Sequence, residues 1–382
     1  MSIFQLGFRT FYSLAAIFAI AAMIMWLRAF AGLSGTGEYL YNVVWHSHEM
    51  LFGFATAVIA GFLLTAVRNW TGLPTPTGVA LAMLAVLWLA ARVLIVTGPA
   101  PLAAIIDVTF LLALALAIAV PILRSKNKRN YKVLAIILML AVTNGIYHLA
   151  SLGLAEVWLA RTSLFAGIDI LMILMAIIGG RVIPAFTRNA LPSATSRHEP
   201  WVEVITFVSM ILVTVVTVLN GYWAVPSMLA AILLIIAAAS HAIRLALWDP
   251  VKTLHNPLLW MMPVAYSWMP IAFLLRALAV SNVVAAGAWI HAMTMGAVSS
   301  LMLAMMMRSS LGHTGRQLIA SKADMAAFLL LQIAAIVRVF ASVVAGETYQ
   351  QWIVASGLIW ALAFLVFALR YVPMLSRPRV SG

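Results

Sequence analysis

The sequence predicts an all-α, polytopic membrane protein of about twelve transmembrane helices with both termini cytoplasmic. Three observations predict it. Hydrophobic residues make up 65% of the 382-residue chain and charged residues only 9%, against roughly 25% charged in soluble proteins. Apolar runs close to the ~20 residues needed to cross a bilayer recur twelve times, at approximately 9–31, 45–67, 77–97, 101–123, 132–154, 159–185, 201–221, 223–247, 257–280, 284–308, 321–345 and 351–373. With both termini placed in the cytoplasm, 18 of the 23 Lys and Arg residues fall on the inner side, which is the positive-inside bias.

Each element follows in turn. The first run has no clear A-x-A cleavage site and continues into Arg28, so it reads as a retained span and not a signal peptide. Gly32, Gly35 and Gly37 then break the chain. The second run opens on Trp45-His46-Ser47-His48-Glu49-Met50. The third, fourth and fifth follow, the last two joined on the inner side by the solvated positive hinge Ser125–Asn130. The sixth carries Gly179-Gly180-Arg181 and Pro184 near its inner end, and the inner loop near 186–200 leads to the seventh and eighth. The ninth holds Pro257, Pro263 and Pro270, as membrane helices do where neighbours re-satisfy freed carbonyls. The tenth contains His291, and the last two return to the cytoplasm. The runs consume most of the chain, so residues 1–382 read as a single integral membrane domain. Internal repetition is faint. His48, Met50 and Gly53 have counterparts in His291, Met293 and Gly296, and each of these two spans reaches an Arg and then Thr-Gly.

Composition also excludes chemistry. Without cysteine there are no disulfides, thiolate nucleophiles, iron–sulfur clusters or thiolate metal sites. Any metal is held by imidazole, carboxylate or thioether. The net charge of +13 is concentrated at one membrane face, where it meets anionic lipid headgroups, and does not point to nucleic acid. Most of the 21 methionines are expected to fill irregular helix contacts.

The histidines sort by depth. His46, His48, His148 and His291 lie toward the outer face; His241, His198, His255 and His313 lie toward the inner. A buried imidazole is costly unless something satisfies it, and imidazole is a common ligand of haem iron and copper. Four at one depth favour a site over four separate core residues. His46 and His48 stand about 200° apart on a regular helix, so they cannot face one interior point. His46, Glu49, Met50 and Gly53 share a face, and Gly53 would admit a flat macrocycle or another helix. His198 and His255 read as solvated loop residues. Arg28, Arg92, Arg161, Arg276 and Arg338 stand on the disfavoured side. They either pair with Glu38, Asp107, Glu156 or Glu347, or clamp anionic groups such as haem propionates. Glu49 and Asp169 are embedded carboxylates suited to a proton relay or a structural pair.

The motifs Phe8-Arg9-Thr10-Phe11-Tyr12, Trp45–Phe54, Gly61–Gly72, Gly179–Asn189, His291–Ala297 and Arg308–Arg316 run in order along nearly the whole chain. In these the chain resembles the NnrS family. The resemblance implies a multi-pass protein of the bacterial inner membrane that contains haem, expected as b-type, and copper. It also implies a tie to nitric-oxide metabolism and nitrosative stress. His48 and His291 are the first candidates for haem or copper ligands, with His46 and His148 next, and Arg92 and Arg276 as cofactor-binding residues. His241 and His313 are weaker metal candidates, because Pro263 stands where relatives are expected to carry a histidine. The function expected is binding or conversion of nitric oxide or a related nitrogen species near the periplasmic face. The alternative is a multi-span transporter of copper or a small solute, which twelve spans and broken helices also suit. A scaffold that delivers cofactors to other enzymes has no residue in its favour.

Overall fold

The computed structural model describes residues 2–344 and 346–380; position 345, where the eleventh apolar run was expected to end, lies outside them. Among the described residues all regular structure is helical, and twelve helices are long and apolar enough to cross a membrane. They are α1 (Gly7–Phe30), α2 (Val43–Thr71), α3 (Gly78–Thr97), α4 (Ala100–Arg124), α5 (Lys128–Ser151), α6 (Trp158–Ala190), α7 (Pro200–Leu219), α8 (Ser227–Ala246), α9 (Pro257–Val280), α10 (Ala286–His313), α11 (Lys322–Val343) and α12 (Gly346–Ser376). Every expected span is present. Helix α6, with 33 residues, runs past its predicted end at 185 to Ala190, because Pro184 lies inside the helix without ending it.

The chain divides into two compact units. The first comprises residues 1–170, 309–317 and 364–382; the second comprises 171–308 and 318–363. In the first, α1 packs along α2, and α4 packs against both α3 and α5. Small residues allow the close approach: a Cβ at Gly61 would meet the Tyr12 ring at 2.8 Å. Arg9 donates to the Leu375 carbonyl at 2.8 Å and to that of Arg377, so it caps the last helix, whose terminal carbonyls have no partner within it. His313 lies here and packs its ring on Phe8 at 5.3 Å. In the second unit α8 packs against α7 and α9, and α10 packs against α9 and α11.

Two helices change winding at the same relative place. In α2 the α-helical segment Val43–His48 gives way to a π-helix over Glu49–Ala55. In α10 the segment Ala286–His291 gives way to a π-helix over Ala292–Ser299. Each π segment begins at the residue after a histidine, where such bulges are common at functional sites. Hydroxyls satisfy carbonyls left over as the ladder changes step. Thr56 donates to the Phe52 carbonyl, and Ser299 donates to that of Thr294 at 2.9 Å. The glycines of both π segments press on tryptophan-bearing helices. Trp88 donates to the Gly53 carbonyl at 3.1 Å, and Gly296 lies against the Trp268 ring. The faint sequence likeness of these spans is therefore a likeness of structure.

A wider period accompanies it. Arg68, Arg188 and Arg308 recur at intervals of 120 residues, near the C-terminal ends of α2, α6 and α10. Those three helices are also the most buried of the twelve. Arg9 and Arg129 share the interval near the starts of α1 and α5.

Candidate metal centre

Six residues of α2 to α5, all in the first unit, build one buried polar cluster. His48 ends the α-helical part of α2 and Glu49 opens its π segment. Arg92 comes from α3, Asp107 from α4, and Asn144 with His148 from α5. Asn144 and His148 are four apart, so one helix face delivers both. All six side chains are almost inaccessible.

Asp107 is the hub. Its Oδ2 receives Asn144 Nδ2 at 2.7 Å and His148 Nε2 at 3.0 Å, and lies 3.3 Å from His48 Nε2. Its Oδ1 pairs with Arg92 Nη2. The other guanidinium nitrogen, Nη1, reaches Glu49 Oε1 at 2.6 Å. His48 is held at both ends, with Nδ1 2.9 Å from Glu49 Oε1 and Nε2 3.0 Å from Asn144 Oδ1. The Asn144 amide is oriented by its bond to Asp107, so its oxygen faces the imidazole. Glu49 Oε2 is buried without a hydrogen-bond partner among the described residues. Gly53 makes room for the ion pair: a Cβ there would meet Arg92 Nη1 at 2.8 Å and Glu49 Oε2 at 3.0 Å. The glycine expected to admit a macrocycle or a helix thus admits a guanidinium.

A loop closes one end of the cluster. Tyr39 lies in the segment between α1 and α2, and its hydroxyl is 2.8 Å from His148 Nδ1. Burial, with a smaller contribution from Tyr147, pushes the Tyr39 phenol up, so it keeps its hydrogen and donates. His148 Nε2 then carries the ring hydrogen and donates to Asp107. The loop is pinned by Thr36, which accepts from the Asn42 amide at 2.8 Å. At Gly37 φ is +129°, and a Cβ would strike the Val96 carbonyl at 2.9 Å. Trp45, Leu40 and Tyr147 pack as an apolar plug beside it.

Charge gives the cluster its character. Two carboxylates face one guanidinium, so one negative charge is unmatched before the imidazoles are counted. An uncompensated charge in a low-dielectric interior is strongly unfavourable. A proton on His48, or a metal ion in place of that proton, neutralises it. One donor atom from each of His48, Asp107 and His148 lies within 4.8 Å of the others, with all three residues buried. Two imidazoles and a carboxylate suit a first-row transition ion such as copper.

The other residues singled out in the sequence lie elsewhere. His46 points away from His48, as helical rotation requires, and stacks on Trp26 at 4.5 Å. His291 belongs to the second unit, where Nδ1 donates to the Gly287 carbonyl at 2.8 Å. That bond leaves the lone pair on Nε2, the tautomer in which a ligating histidine is usually held. Arg276 donates to Thr217 at 2.7 Å and lies over the Trp289 ring at 4.4 Å. His241 is in the second unit and His313 in the first. His255 is exposed, and His198, on the surface, lies 4.0 Å from Glu203. Of the disfavoured arginines, Arg92 has the carboxylate partners, and Arg161 lies over Phe165 at 5.2 Å.

Sequence reasoning did not single out Tyr39 or Asn144, and it named Asp107 only as a partner for arginine. The i, i+4 pairing of Asn144 with His148 was the available signal.

The family described as NnrS protein matches residues 2–379 of the chain. The chain belongs to the NnrS family. A comparison with curated proteins gave no match. Membership spans both units and all twelve helices, so the cluster on α2 to α5 and the π segment of α10 both lie within the matched region.

Proposed function

We propose that this NnrS-family protein is a haem- and copper-binding protein of the bacterial inner membrane. In this reading it binds or converts nitric oxide, or a related small nitrogen species, in nitrosative-stress metabolism. Its termini are cytoplasmic, and the His48 cluster lies near the periplasmic face. One observation carries the reading: His48, His148 and Asp107 converge in a buried cluster with one unmatched negative charge.

Those three residues would hold the copper ion. Asp107 supplies the charge, while Tyr39 and Glu49 hold the second nitrogens of His148 and His48, as outer partners of metal ligands do. His291 is the candidate haem ligand. Its Nδ1 bond to the Gly287 carbonyl fixes the ring. Held by His291, haem would supply a binding point for diatomic nitrogen ligands, and copper held by His48, His148 and Asp107 would supply a second binding point or an electron. The apolar plug of Trp45, Leu40 and Tyr147 excludes water from the cluster. Membrane lipid is the surrounding partner.

Optical spectroscopy and metal analysis of the purified protein test this reading. The expected result is a Soret band that shifts with nitric oxide and is lost or displaced in His291→Ala, with copper lost in His48→Ala and His148→Ala. An unchanged spectrum in His291→Ala overturns the haem assignment. A colourless protein that moves copper across proteoliposome membranes would favour transport.

A further inference from the structure

The second unit contains a buried histidine that the preceding reading does not use. His241 on α8 is fully buried, and its two nitrogens meet different partners. Nδ1 is 2.7 Å from the Tyr266 hydroxyl. Nε2 is 3.3 Å from the thioether sulfur of Met210 on α7, and Met210 is 2% exposed.

The surroundings make this more than one contact. Phe273 stacks on the His241 ring at 5.4 Å and 16°. Tyr266 and Phe273 are seven apart on α9, so both lie on the face turned to the imidazole. Met269 lies on that face between them and is fully buried. Thr206 is one turn before Met210 on α7, and its buried hydroxyl has no hydrogen-bond partner among the described residues. One thioether thus touches the imidazole, a second lies on the helix face turned to it, and an unsatisfied hydroxyl stands one turn from the first.

The nearby charges are already matched. Arg244 makes a bidentate pair with Glu203 at 2.6 and 2.7 Å, and donates to the Ala176 carbonyl at 2.9 Å. It also donates to the Tyr266 hydroxyl at 2.8 Å, which fixes the phenol against His241. Glu203 is committed to this arginine, so the donors around His241 are neutral and soft.

We propose that His241, Met210 and Met269 form a second metal site, specific for a soft monovalent ion of the copper(I) class. Thioether ligands select copper(I), whereas hard divalent ions require oxygen donors. Burial cost rises steeply with ionic charge, so a neutral donor set in an apolar interior favours the monovalent ion. The site lies within the second unit and does not depend on the His48 cluster.

The test uses the full-length protein in detergent, with copper(I) supplied by a competing colorimetric chelator. In a His48→Asn/His148→Asn background, the expected result is one retained equivalent of copper(I). Met210→Leu and Met269→Leu, near-isosteric changes that remove only the sulfur, should each weaken binding at least tenfold without moving the thermal midpoint. The same two variants in the otherwise unaltered chain should lose sulfur neighbours from the copper X-ray absorption spectrum, a reading that stands even if the double-asparagine background does not fold. Equal affinity and equal sulfur signal in both leucine variants overturn the proposal, and the His241–Met210 contact is then an N–H···S hydrogen bond. Loss of the Soret band in His291→Ala or of copper in the first-unit variants is a separate readout.

Discussion

His48 and His148 lie with ring centroids 4.8 Å apart and turn their Nε2 atoms toward the same oxygen of Asp107. Two imidazoles this close in an apolar interior are held by the carboxylate between them. The properties of the cluster therefore turn on Asp107 more than on either histidine.

Asp107→Asn should cost about 3–5 kcal/mol, the usual penalty for breaking a buried ion pair from one side. Arg92 keeps Glu49, while the amide introduced at 107 brings a donor against His148 and Asn144. Thermal unfolding in detergent measures the loss, and metal analysis should show it accompanied by loss of bound copper. A variant as stable as the parent would mean that the cluster is not electrostatically coupled.

Gly53→Ala and Gly145→Ala should act in opposite directions. At Gly53 the new methyl meets Arg92 Nη1, the Phe18 ring and Glu49 Oε2, all within 3.0 Å, and overpacking of this kind costs about 1–3 kcal/mol. At Gly145, inside α5, nothing lies within 4 Å, so alanine should stabilise by roughly 0.5–1 kcal/mol. Paired thermal melts decide it.

Arg244→Lys keeps the charge but not the fork. The lysine cannot hold both oxygens of Glu203 while also reaching Ala176 and Tyr266. Each charged hydrogen bond lost costs about 1.5–3 kcal/mol. Gly180 lies directly against the guanidinium, so its space would be left unfilled. An unfolding midpoint equal to that of the parent would show that this network is not structural.

Asp249 sets a pH response at the loops. It accepts from the Thr195 hydroxyl and amide, both at 2.8 Å, and from Lys252 at 3.1 Å. The Thr195 bonds, followed by Lys252, hold its carboxyl below the usual aspartate range. A depressed folded-state value means that the stabilisation is complete above the ordinary value of roughly 3.9 and is lost as pH falls through the lower folded one. Hydrogen exchange at the Thr195 amide should therefore be slow at neutral pH and lose its protection under acid conditions. In Asp249→Asn that acid-side transition should be absent.

Much of the fold was legible in the order of residues. A run of about 20 apolar side chains cannot stay in water and must close its own backbone hydrogen bonds in lipid, so twelve runs meant twelve helices. The His46/His48 divergence followed from 100° of rotation per residue. The family likeness rested on motifs spread along the chain, which is why it covers both units.

The cluster was less legible because its members are scattered over α2 to α5 and a loop. The sequence named His48, His148 and Arg92 as chemically loaded, yet nothing local joins Asp107 to them. Asn144 looks like one polar residue in an apolar helix until its amide is seen bridging His48 and Asp107. Nor does composition announce a π-helix, since that winding depends on which neighbours press on Gly53 and Gly296.

Hydrophobic length and periodicity, which are local quantities, determined the helices, their number and the residue types available for chemistry. Which of those residues meet was decided only by tertiary packing, because a buried charge is neutralised by whatever the neighbouring helices bring within about 3 Å, and that distance is not written along the chain.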